Sequence, residues 1–95
     1  MMKILVADPL DKQGLKMIEE VEGVTAEVKT GLKEDELAAI VGGYEGMIVR
    51  SGVQITAKVL ANPGKLRAIA RAGVGVDNID VDAATKAGIL VMNTP

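Results

Sequence analysis

Residues 70–81 read ARAGVGVDNIDV. The stretch carries the end of an apolar strand, LRAIAR at 66–71, through two glycines at 73 and 75 toward a helix whose cap is Asp80. Strand, glycine loop and helix in that order form the repeating unit of a parallel sheet. A dinucleotide fingerprint would place a third glycine three residues after the second and start the helix inside the glycine turn. Position 78 is Asn, and the helix begins only near Asp80. No acidic residue follows at a strand end about twenty positions on, where a ribose partner would stand. The loop is therefore not a cofactor fingerprint. Two readings of the glycines remain. The amides around Val74 and Gly75 face an anion, or the glycines serve a tight turn that needs positive φ.

Outward from this loop the same alternation repeats. KILVAD at 3–8 has strand length, and a helix from about Asp11 puts Leu15, Ile18 and Val21 on one face before Gly23 ends it. TAEVKT at 25–30 alternates as an edge strand does, and the acidic helix KEDELAAIV at 33–41 stops at Gly42 and Gly43. GMIVRS supplies a third strand at 46–51. Thr56 caps a short helix through Leu60, and NPG at 62–64 breaks the chain before the fourth strand. VDAATKA is the last helix, ended by Gly88, and ILVMNTP at 89–95 is a fifth strand. The pattern is (βα)₄β. Short right-handed crossovers make the expected fold an α/β, flavodoxin-like three-layer sandwich with a five-stranded parallel sheet in order 2-1-3-4-5, lacking its final helix. No repeat or linker divides the 95 residues, so one domain is expected.

Composition narrows the chemistry. The chain is 48% hydrophobic with one aromatic, Tyr44, an aliphatic bias suited to strands buried on both faces. A net charge of −2 leaves no basic surplus for nucleic acid, and stacking platforms are missing. With neither histidine nor cysteine, the usual metal ligands and the commonest general base are absent. MMKILVADP lacks the apolar region of a signal peptide, and a soluble cytoplasmic protein without membrane partners is expected.

Ligands of open parallel sheets bind beyond the carboxyl ends of the strands. Those ends hold Asp8-Pro9, Arg50-Ser51-Gly52, Arg71 with its glycine loop, and Asn93-Thr94. Two of the chain's three arginines occupy adjacent strand ends, and the planar guanidinium fork matches carboxylate or phosphate oxygens in two-point contact. An anion site follows, the plainer alternative being that each arginine pairs with an acid such as Asp8 or Asp77. A phosphoacceptor receiver module is rejected, because Arg50 and Asn93 stand where its acceptor Asp and its Lys would be.

The blocks VRSGVQITAKVL and LRAIARAGVGVDNIDVDAATKAGILVMNTP closely resemble the N-terminal substrate-binding segment of the NAD-dependent D-2-hydroxyacid dehydrogenases, over essentially the whole chain. The Arg50–Ser51 pair favours the phosphoglycerate-oxidising branch. The resemblance implies oxidation of 3-phosphoglycerate to 3-phosphohydroxypyruvate by hydride transfer to NAD, the entry to serine biosynthesis. It implies Arg50, Ser51 and Arg71 as contacts to the substrate's phosphate side, and the loop amides of Val74 and Gly75 as holders of the carboxylate. Val74 also matches a position that touches the nicotinamide, while Asp77 and Asn78 fix the loop and cap the next helix.

In such enzymes the chain passes after NTP into the dinucleotide-binding domain, which brings the glycine fingerprint and the catalytic Arg, Glu and His. None of these occurs in residues 1–95. The expectation is the N-terminal part of a substrate-binding domain, a truncated segment with no catalytic residue and no tight NAD binding of its own, inactive alone. The alternative is a stand-alone anion-binding or regulatory module. Handedness puts the first helix alone on one sheet face. Strands three to five are apolar at both parities, so an uncovered face and self-association through it are expected.

Overall fold

The computed structural model describes residues 2–9, 12–50, 52–72 and 78–94. Strand β1 (Met2–Val6) leads through α1 (Lys12–Glu19) to β2 (Val24–Val28), and α2 (Glu34–Ile40) with a 3₁₀ turn at Val41–Gly43 leads to β3 (Gly46–Val49). Strands β4 (Ala68–Ala72) and β5 (Leu90–Thr94) flank α3 (Val81–Lys86). All pairings are parallel, in the order β2-β1-β3-β4-β5 expected from sequence.

One crossover differs from its expectation. Thr56 caps as anticipated, its Oγ1 accepting from the Val59 amide at 3.4 Å, but residues 57–60 form a hydrogen-bonded turn and not a helix. Pro63 and Gly64 follow too closely for propagation, and a helix of one turn does not recover its nucleation cost. That turn is held from outside. Thr56 Oγ1 donates to Glu34 Oε2 at 2.6 Å, and Lys58 pairs with Glu34 and Asp35 in the first turn of α2. The carboxyl of Asp35 beside it raises the Lys58 ammonium above its ordinary value.

Parity along the strands assigns the two faces. Leu5, Ala7, Met47, Val49 and Ile69 join Leu37, Val41, Ile55, Val59 and Ala84 in one continuous core beneath α2 and α3. Ile4, Ile48, Ala68, Ala70, Leu90 and Met92 point the other way. There α1 shelters the β1–β2 end, where Val6 is fully buried, but toward β5 Leu90 is 60% and Met92 43% exposed. A groove of 790 Å³ runs along this face between Met2 and Met92, floored by Gly46, Ala68 and Ala70.

A polar cluster ties β2 to the loop before β3. The buried Tyr44 hydroxyl donates to Glu27 Oε2 at 2.5 Å, Lys3 Nζ lies 3.4 Å from Glu27 Oε1, and the same ammonium sits 5.0 Å from the centre of the Tyr44 ring. The Tyr44 hydroxyl and the Lys3 charge hold the Glu27 carboxyl below its ordinary 4.5, while burial and then Glu27 push Tyr44 above 10.0. The folded state thus releases the Glu27 proton more readily than the unfolded chain. Its contribution is complete above pH 4.5 and is lost as pH falls through the lower folded value. The Tyr44 contribution is complete below pH 10.0 and is lost as pH rises through its higher folded value. Carboxyl-carbon NMR is expected to place the Glu27 midpoint below 4.5, and Tyr44→Phe to return it toward that value.

Candidate functional site

Parallel register places the polar residues at one edge of the sheet. Val49 stands beside Arg71 on β3 and β4, and Arg71 beside Asn93 on β5, so Arg50 leaves its strand one residue beyond the row containing Arg71. Of the residues expected to bind an anion, Arg50 and Arg71 are thus brought to adjacent strand ends. Ser51, Val74, Gly75 and Asp77 lie outside the described residues.

The alternative for Arg50, neutralisation by Asp8, does not describe the geometry. Asp8 receives the Arg50 backbone amide at 2.7 Å, not its guanidinium, and the same Oδ2 receives the Val53 amide at 3.2 Å. The Arg50 side chain is exposed and reaches the Pro9 carbonyl at 3.4 Å; among the described residues it makes no ion pair. Gly52 is required by this arrangement, since a Cβ there would sit 2.7 Å from Asp8 Oδ1.

Arg71 is half-buried, and its Nε donates to Asn78 Oδ1 at 2.7 Å. Asn78 Nδ2 donates to the carbonyls of Arg50 at 2.7 Å and Val53 at 2.6 Å. Asn78 therefore fixes the loop, as expected, but does not cap the helix. Asp80 does, through Oδ1 to the Ala83 amide at 2.9 Å. The backbone on either side of Asn78 is held as well. Ile55 N donates to Asn78 O and Asp80 N to Ile55 O, both at 2.8 Å, around an isolated parallel bridge between Ile55 and Ile79. The sequence alone offered Asp8 only as the alternative partner for a guanidinium, and its hold on the loop backbone was missed. The available signal was a short polar side chain ending an otherwise apolar strand.

The assembled edge offers one exposed guanidinium and one oriented by a neutral amide, and the Asp8 carboxylate beside them is buried and holds the Arg50 and Val53 amides. The edge can bind and orient an anion. It also does not fit a dinucleotide: α3 begins at Val81, and its N-terminus is occupied by the chain's own Asp80 carboxylate, where a pyrophosphate would have to lie.

Comparison with known proteins agrees with the fold. The chain is 50% identical over all 95 residues to the D-3-phosphoglycerate dehydrogenase of Methanocaldococcus jannaschii, of which it covers 18%. It is 46% identical over 95 residues to that of Synechocystis sp., of which it covers 17%. It superposes on the NAD⁺-bound 3-phosphoglycerate dehydrogenase of Entamoeba histolytica with a TM-score of 0.88 and 33% identity, covering 99% of this chain and 33% of that one. The chain spans less than a fifth of the length of these two sequence relatives. Residues 4–95 match the model described as D-isomer specific 2-hydroxyacid dehydrogenase, catalytic domain, and the chain belongs to that family.

Proposed function

We propose that residues 1–95 are the N-terminal, substrate-side part of the substrate-binding domain of a cytoplasmic NAD-dependent D-3-phosphoglycerate dehydrogenase, which oxidises 3-phosphoglycerate to 3-phosphohydroxypyruvate in serine biosynthesis. The observation that carries this reading is the pair of arginines at adjacent strand ends, Arg50 unpaired among the described residues, in a chain half identical to an enzyme of that name. Arg50, Ser51 and Arg71 hold the phosphate side, and the Val74 and Gly75 amides hold the carboxylate. Two guanidinium groups fix the anion at two points, which orients the carbon to be oxidised. NAD supplies the hydride acceptor. Because Asp80 occupies the α3 N-terminus, NAD is held chiefly by residues outside this segment, with Val74 touching the nicotinamide.

Titration of the ¹⁵N-labelled chain with 3-phosphoglycerate tests the reading. Amide shifts are expected at 50–52 and 71–76, with affinity falling as salt rises because both arginines act through charge. Shifts confined to other residues would remove the site. In the same samples the chain alone is expected to reduce no NAD at any pH, since the acid/base pair and the cofactor fingerprint of the family do not occur in residues 1–95. Turnover by pure chain would contradict that part.

A further inference from the structure

Asp8 and Asn78 are buried, 6% and 7% exposed, and both hydrogen-bond the backbone of residues 50 and 53. Both N–H groups go to Asp8 and both carbonyls to Asn78, at residues 50 and 53 alike. The described residues of this loop, 50, 52 and 53, belong to no helix or strand, and four of their backbone groups end on two side chains from elsewhere in the fold. Asn78 does more. Its carboxamide spends both donor hydrogens on the Arg50 and Val53 carbonyls and its oxygen on Arg71 Nε. Only a primary amide supplies two donors and an acceptor from one short side chain. Aspartate would aim a carboxylate at two carbonyls, and an apolar residue would satisfy neither side.

We infer that Asn78 is a positioning residue for the anion site, its carboxamide joining the Arg50 loop and the Arg71 guanidinium into one preset receptor. The inference rests on the reading of Arg50 and Arg71 as substrate contacts. Its physical content is that binding at Nε sets the plane of the Arg71 fork, while the bond to the Arg50 carbonyl sets where the neighbouring arginine departs from its strand. An anion meeting both groups then need not order them, and preorganisation of this kind appears as affinity.

The test uses Asn78→Asp, which keeps an acceptor for Arg71 and removes both donors to the Arg50 loop, alone and combined with Arg50→Ala. Titration with 3-phosphoglycerate is expected to show about tenfold weaker binding for Asn78→Asp, from an unchanged far-ultraviolet circular dichroism spectrum. The double variant should bind no more weakly than Arg50→Ala, because Asn78→Asp leaves the acceptor for Arg71 in place and acts through the Arg50 loop, an effect that has nothing left to misplace once the Arg50 guanidinium is gone. Wild-type affinity in folded Asn78→Asp, or losses that add in full, would overturn the inference. Hydrogen exchange at arginine Nε–H in the unliganded wild type needs no variant to fold. The Arg71 signal is expected to exchange at least about tenfold more slowly than that of exposed Arg50, and equal rates would refute the linkage. A wild-type chain that binds no 3-phosphoglycerate would instead remove the reading of the site itself.

Discussion

As an isolated 95-residue chain, the protein is expected to run as a dimer or larger assembly by size exclusion coupled to light scattering at micromolar concentration. The cause is the sheet face opposite α2 and α3. On it Met2, Leu90 and Met92 are 46%, 60% and 43% exposed, and Met2 and Met92 line a 790 Å³ groove together with Gly46, Ala68 and Ala70. Small residues in the middle strands and large ones at the margins leave a trough that α1 covers only at its β2 end. Soluble monomers seldom show contiguous apolar patches beyond about 300–600 Å². At about 25 cal/mol per Å², burying about 400 Å² on each of two copies contributes about 20 kcal/mol before the costs of association, which can exceed 10 kcal/mol. A second copy is a self-complementary occupant, since one face can pack on its own image about a twofold axis. Leu90→Glu with Met92→Glu places charges at the exposed rim without touching the core and should return the chain to monomer. A wild-type monomer that binds no apolar dye would refute the expectation.

Gly64→Ala is expected to be the most damaging single-methyl change, at about 2–4 kcal/mol. Gly64 has a φ of +54°, where a Cβ costs about 1–2 kcal/mol. That Cβ would also lie 2.7 Å from both Cα and O of Gly42, backbone atoms that cannot rotate aside. The close approach is part of the fold, because the Lys65 amide donates to the Gly42 carbonyl at 3.1 Å and joins the end of the 3₁₀ turn to the entry of β4. For a domain of this size each kcal/mol moves Tm by about 4–8 °C, so thermal unfolding should fall by about 10 °C or more. Gly43→Ala is the control. It has open space around the added methyl and no positive φ, so it should leave Tm within a few degrees. Equal melting of the two variants would show that the 42–64 approach is not needed.

The strand order was legible from residues 3–94 because buried parallel strands leave an unmistakable trace. ILVA and GMIV are apolar without interruption in the central strands β1 and β3, while TAEV alternates at the β2 edge; ILVM of β5 is equally apolar at the other edge, so its place follows from chain order and crossover handedness. The caps were legible too. Asp80 receives the Ala83 amide as a short oxygen-bearing side chain before a helix does. The turn at 57–60 was misread because Thr56 carries a helix-start signal, and local signals do not report the length left for propagation before Pro63 and Gly64.

The site divides along the same line. Sequence by itself determined that Arg50 and Arg71 end neighbouring strands, since strand order and register follow from hydrophobic period and crossover handedness. It also excluded a dinucleotide fingerprint, because that motif is local in the chain. Only the tertiary structure decided what holds those arginines. Asp8 and Asn78 reach residues 42 to 45 and 25 to 28 positions away along the chain. A buried polar side chain takes whatever backbone group the fold leaves unpaired, and no period or spacing in the sequence encodes which group that will be.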